Sequence, residues 1–270
     1  MVVKSVVRPV VGVKNSMFAQ YKPVYSAKVS KPTGLQKYAE NWLAKEWVRL
    51  DLWQYTDHFL LLGSHTNENG EALINWMNPG TLDATNINSP VHTPKQGLQY
   101  NGTDSYTDTN FNPSVHGVNY KQDDASQILY VRTNIACMGG CGIYMSSDLK
   151  DCAIIQRWST DNAYLRINDG TYVINSNLLG DGLFIATRTA SNIKKLYRNG
   201  IPIVEGTTTS TGVPTHNFYI GCYDDDDSPN GFRADQVFAH IIMKGLPQEL
   251  AIKATNALNG CAKLLGVNVF

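Results

Sequence analysis

Beyond Asp57 the apolar positions fall in short runs, separated by clusters of Gly, Asn, Asp and Pro. The runs are 126–135, 142–147, 152–158, 163–167, 183–189, 194–198, 201–205, 217–223 and 232–243. Alternation of apolar and polar residues sends neighbouring side chains to opposite faces of a strand. Leu165 and Ile167 thus oppose Tyr164 and Arg166, while Phe218, Ile220 and Cys222 oppose Tyr219 and Tyr223. The stretch VFAHIIM at 237–243 hardly alternates, which predicts a central strand covered on both faces. Between 194–198 and 201–205 stands Asn199-Gly200, the dipeptide that best tolerates the two positive-φ positions of a type I′ hairpin turn. Short strands joined by such turns predict an antiparallel β-sandwich or barrel rather than alternating β and α units.

Helical spacing shows in two places. After Thr33, a candidate N-cap, Leu35, Tyr38, Ala39, Trp42 and Leu43 share one side of a helix that runs to about residue 50. LPQELAIKATNAL at 246–258 predicts a second, short helix, with Gly260 as its stop. Residues 1–39 hold six Lys and one Arg but no acidic residue, and prolines at 9, 23 and 32 interrupt any long helix. The pattern predicts a basic N-terminal arm that docks on a partner. The chain divides accordingly into an arm and helix over 1–59, for anchoring or oligomerisation, and a sandwich domain over 60–270.

Composition removes several classes of function. Lys plus Arg and Asp plus Glu both number 23, so no net charge draws the chain to nucleic acid or to an anionic membrane. Lys4, Arg8 and Lys14 break the valines of the first residues before they reach the length of a signal-peptide core. No apolar run approaches the ~20 residues of a membrane span, so membrane insertion is not expected. Five scattered cysteines, an odd number, predict reduced thiols rather than a disulfide framework.

The order of four segments carries a resemblance: YNGTDSYTDTNF at 100–111, LYRNGIPI at 196–203, NFYIGCYDD at 217–225 and QVFAHIIMKGLPQELAIKATNAL at 236–258. Together they resemble the concanavalin A-like (laminin G-like) jelly roll, over roughly residues 60–270. The segment 74–114 further resembles a version of this domain found in structural proteins of tailed bacteriophages. The resemblance implies a mainly β fold, an antiparallel sandwich of the jelly-roll type, and a non-enzymatic structural protein of a phage virion, a head or tail appendage. It would be made in the host cytoplasm and held by other virion proteins through the arm. It would assemble as a homotrimer and display the sandwich toward host-surface glycan. Two other functions stand beside this one: a glycan-binding module outside a virion, and a glycan hydrolase or lyase.

Hydrolysis by jelly rolls of this kind needs paired carboxylates on one strand, and a retaining glycosidase sets them about 5 Å apart. The six glutamates, at 40, 46, 68, 71, 205 and 249, form no such set. Asp104 and Asp108, in register on a predicted strand, are the remaining candidates. Cys137 and Cys141 in CMGGC lack a second ligand pair at zinc-finger distance, the six histidines are dispersed, and the glycines of LLGDGLFI mark a turn rather than a dinucleotide fingerprint. In DDDDSPNGFRAD, Pro229 and Asp235 replace the glycine and glutamate of an EF-hand, which leaves Asp224 and Asp226 as candidates for a looser calcium site. Glycan binding calls for aromatic rings to stack on sugars and polar neighbours to orient the hydroxyls. Trp158, Asp161, Tyr164 and Arg166, around one hairpin, meet that description; the alternative packs Trp158 in the sandwich core.

Overall fold

The computed structural model describes residues 16–145, 147–267 and 270. Helices α1 (Tyr21–Ala27) and α2 (Gly34–Arg49) precede strands β1 (Thr56–Leu61), β2 (Thr85–Ile87), β3 (Val91–Thr93), β4 (Gly97–Gln99) and β5 (Tyr106–Asp108). After the one-turn helix α3 (Pro113–His116) come β6 (Ala125–Val131), β7 (Cys141–Tyr144), β8 (Cys152–Ile155), β9 (Asn162–Ile167) and β10 (Val173–Ser176). Then follow β11 (Gly182–Ala190), β12 (Ile193–Arg198), β13 (Ile201–Gly206), β14 (Tyr219–Ile220), β15 (Tyr223–Asp225), β16 (Ser228–Asn230), β17 (Gln236–Met243) and α4 (Gln248–Leu264).

The strands form two sheets. One runs β13-β12-β11-β6-β17-β4-β3, with β1 also paired to β17; the other runs β10-β9-β8-β7-β14-β5-β2, with β15 and β16 attached beside β7. Pairing is antiparallel except between β7 and β15. Leu129, Val131, Phe184 and Ile242 of the first sheet meet Ile143, Ile154, Leu165 and Ile167 of the second in a shared apolar layer, which makes the chain a β-sandwich. The outer face of the first sheet, with Phe59, Ile128, Ile185 and Ile241, is covered by Tyr21 of α1, Leu43 and Trp47 of α2, and Leu258 and Cys261 of α4. This sheet is therefore buried on both sides, which is why β6 and β17 read as near-continuous apolar runs. Asp169, after β9 of the second sheet, pairs with both Arg188 and Lys194 of the first and ties the layers together at one end.

The structure corrects several sequence expectations. The described part of the basic arm, 16–39, packs on this chain's own core; residues 1–15 lie outside the described residues. Lys28 is buried, its Nζ 2.8 Å from Glu40 and 3.0 Å from the Ser64 hydroxyl, while Tyr21 and Gln36 also donate to Glu40. A buried cation is tolerated only when paired in this way. Only part of the apolar side expected of α2 is the buried one. Leu35 and Tyr38 are exposed, whereas Gln36, Ala39, Glu40, Leu43, Ala44 and Trp47 face inward. Gly260 does not stop α4, which continues to Leu264. It is instead the position where Trp42 of α2 enters the helix surface, since a Cβ there would stand 2.4 Å from the indole ring.

The run 217–223 breaks into β14 and β15 at Gly221, whose φ is 92° and whose absent Cβ would collide with the Tyr100 ring. The hairpin turn has the expected form, with φ of 52° at Asn199 and 80° at Gly200. In NGTDSYTDT, Asn101 Oδ1 accepts from the backbone N–H groups of Thr103, Asp104 and Ser105, an Asx-type turn that leads into β5. That motif is architecture. Among the described residues no helix is long and apolar enough to cross a membrane.

Candidate functional site

Among the described residues, α1, α2 and α4 pack on the first sheet and none of them covers the outer face of the second. Alternation along β9 buries Ala163, Leu165 and Ile167 and turns Asn162, Tyr164 and Arg166 outward. Tyr164 stands between two rings, Trp158 at 5.5 Å and Tyr172 at 5.4 Å, the latter edge to face. Arg166 lies across the Tyr172 ring at 3.4 Å from its centroid and 4.8 Å from that of Tyr144, and its guanidinium pairs with the buried carboxylate of Asp151. Tyr144 in turn lies 6.0 Å from Tyr223, completing a row of rings contributed by three strands and two loops.

Beside this row opens a cleft of about 310 Å³. Tyr144, Trp158, Tyr172 and Tyr223 form one part of its lining, and Met138, Gly139, Asn230 and Gly231 the rest. The glycines are required by close approach: a Cβ on Gly139 would stand 2.2 Å from the Gly231 carbonyl, and one on Gly140 or Gly231 would overlap the Tyr223 ring. The CMGGC segment thus serves the cleft through its glycines. Its Cys141 is buried in β7, where burial pushes the thiol up to about 12. Burial likewise raises the Tyr172 and Tyr223 phenols above their ordinary range.

Of the four residues proposed from sequence, Trp158 lines the cleft, Tyr164 backs it, and Arg166 supports Tyr172 from the side. Trp158 is therefore on the outer face and not in the sandwich core. Asp161 is elsewhere. With φ of 59° it closes the turn from Trp158 to Asn162, and it pairs with Arg157 at 2.7 Å. Sequence reasoning missed Tyr144, Tyr172 and Tyr223. The alternation noted in 217–223 already turned Tyr223 outward, whereas nothing local marks Tyr172.

The carboxylates considered for hydrolysis do not come together on one strand. Asp104 sits in the exposed turn before β5, bonded to Asn101, while Asp108 ends that strand and accepts from the backbone of Asn110. The candidate calcium residues also separate: Asp224 is buried and accepts the Asp227 N–H, and Asp226 takes a hydrogen bond from Ser147. The donors that do converge are His216, Asp224 and Asp227, within 4.8 Å of one another. His216 Nδ1 lies 2.9 Å from Asp227, and burial pushes the Asp224 carboxyl up to about 6. One imidazole with two carboxylates suits a transition-metal ion better than calcium, which prefers six to eight oxygens. A larger cavity, about 500 Å³, lies where Asp51, Tyr55 and Asp124 meet Lys244 and Leu250. There Lys244 is engaged by the Tyr55 ring and by Asp124, and Tyr55 is the one ring in the lining.

No family model matches the chain, and no curated protein does. Among solved structures, Trypanosoma rangeli sialidase in complex with sialic acid aligns with a TM-score of 0.53 and 15% identity, over 79% of this chain and 37% of the sialidase. A mutant of that enzyme displaying trans-sialidase activity aligns at 0.54 and 14% identity, over 83% and 39%. Domain 4 of AbnA, a GH43 extracellular arabinanase from Geobacillus stearothermophilus, in complex with arabinotriose, aligns more loosely at 0.48 and 12% identity, over 74% and 98%. The chain thus spans well under half the length of the sialidases, and the likeness is one of fold. The expectation of a phage structural protein is overturned here: these neighbours are proteins that act on glycans, not components of a virion.

Proposed function

We propose that this chain is a glycan-binding module, a concanavalin A-like jelly roll that holds a sugar in the aromatic cleft on the open face of its second sheet. The observation that carries the proposal is the cleft itself, where Trp158, Tyr144, Tyr172 and Tyr223 offer rings beside polar groups. Ring faces attract the C–H surfaces of sugars, and a few fixed polar groups set orientation. The fold shared with a sialidase solved in complex with sialic acid supports a glycan as the ligand, without fixing which one.

The module binds without hydrolysing. No carboxylate lines the cleft, so the acid and nucleophile of ordinary glycosidases are both missing from its lining. Tyr172 and Tyr223 are no substitute, because burial pushes them away from the ionised form that a nucleophile needs. Calorimetric titration of the full chain with oligosaccharides should show binding that weakens about tenfold or more in Trp158→Ala and in Tyr172→Ala, the loss of one stacking ring. No reducing ends should be released. Undiminished binding by both variants would place the sugar elsewhere, and turnover would contradict the non-catalytic role.

A further inference from the structure

The polar chemistry around the cleft has a consistent sign. None of its lining residues carries a charge. Three arginines stand nearby, and each is neutralised by its own carboxylate: Arg157 by Asp161, Arg166 by Asp151, and Arg233 by Asp235. Arg233 is fully buried and donates further to the Gly139 and Ile135 carbonyls. Arg166 is held across two rings, with its Nε sealed from solvent. On the opposite wall the Asn230 amide donates to the Asp225 carboxylate, which leaves a negative group beside that edge. An anionic sugar entering here would lose hydration and meet no free cation among the described residues.

Of the polar atoms buried here without a partner, Arg166 Nε among them, only the Tyr223 hydroxyl belongs to a residue that lines the cleft. Tyr223 is only 7% exposed, and its hydroxyl is buried without a hydrogen bond of ordinary geometry to any described residue, although Tyr172 lies beside it. Buried polar groups without partners are rare and costly. The ring is fixed from two sides by the glycine backbones at 140 and 231, so its hydroxyl cannot swing away.

Resting on the glycan-binding proposal, we infer that the cleft selects an uncharged sugar ring, that the Tyr223 hydroxyl hydrogen-bonds one of its hydroxyls, and that carboxylated sugars are disfavoured. The ligand class therefore differs from the sialic acid of the fold neighbour. Calorimetry with full-length protein on lactose, 3′-sialyllactose and cellotetraose, preceded by an array of neutral and sialylated oligosaccharides, tests this. At least one neutral oligosaccharide should bind, and 3′-sialyllactose should bind no more tightly than lactose. Tyr223→Phe should weaken the neutral ligand about fivefold to tenfold, the worth of one hydrogen bond, while its melting temperature stays level or rises because an unpaired buried hydroxyl is gone. Tighter, salt-sensitive binding of the sialylated probes through Trp158 would overturn the selectivity and leave glycan binding standing. A lower melting temperature in Tyr223→Phe with unchanged affinity would make the hydroxyl a structural partner of Tyr172. Silence across the whole array would overturn glycan binding itself.

Discussion

Both sheets turn aromatic rings away from the layer they share, yet the two outer faces are finished differently. On the first sheet Phe59 stacks on Trp76 at 5.0 Å and meets Trp47 at 5.3 Å, and all three are sealed under the helices and the loop before β2. The Trp47 indole N–H is also satisfied, by the Thr56 hydroxyl at 2.9 Å. On the second sheet Trp158, Tyr164 and Tyr172 remain partly open, and the nearby Tyr223 hydroxyl makes no hydrogen bond of ordinary geometry to any described residue. Rings that the chain covers, with their polar atoms paired, are packing. Rings left open beside an unpaired polar atom mark a surface that something else completes.

The contrast is sharpest in the two tryptophans. Trp47→Ala should cost about 3–5 kcal/mol in chemical unfolding, because it empties a sealed layer and removes the indole donor to Thr56, whose hydroxyl keeps its bond to the Leu52 carbonyl. Trp158→Ala should cost below about 1 kcal/mol, since water reaches its site already. Equal losses would break the distinction between a covered and an open face.

A smaller effect separates the inter-sheet layer from the cleft. His58 and His240 are fully enclosed there, beside Phe111 and Phe218, and burial pushes them down to about 4 and about 3. In the unfolded chain both protonate below about 6.5. Their contribution to stability is therefore fully present above about 6.5 and is lost as pH falls through their folded values, on the order of 3 to 5 kcal/mol each. Asp224, pushed up to about 6, opposes this: its contribution is present below its unfolded value and is lost as pH rises through about 6. Unfolding curves at pH 7 and pH 4 should show a shallower fall for His240→Gln than for the parent. Parallel curves would mean that His240 takes a proton without opening the layer.

Much of the architecture was legible from periodicity. The alternation in β9 gave the directions of Tyr164, Leu165, Arg166 and Ile167, and Asn199-Gly200 fixed its hairpin because few other residue pairs suit two positive-φ positions. α1 escaped because Pro23 and the basic run read as an arm, and only the fold reveals that Lys28, just past the helix, is neutralised by Glu40 on the next one. Gly260 misled for a related reason: a glycine that ends a helix and one that admits a neighbour's indole look alike in sequence. The site was half legible. Trp158, Tyr164 and Arg166 are near one another along the chain, whereas Tyr144, Tyr172 and Tyr223 join them from β7, the loop before β10 and β15, a convergence that only sheet pairing produces.

Hydrogen exchange of the full chain, with and without a saturating neutral oligosaccharide, tests the account most directly. Slowed exchange should be confined to 138–145, 157–173 and 223–231, the segments that build the cleft. Protection instead at α2 and α4, or around Tyr55 and Lys244 in the larger cavity, with none in those three segments, would contradict it.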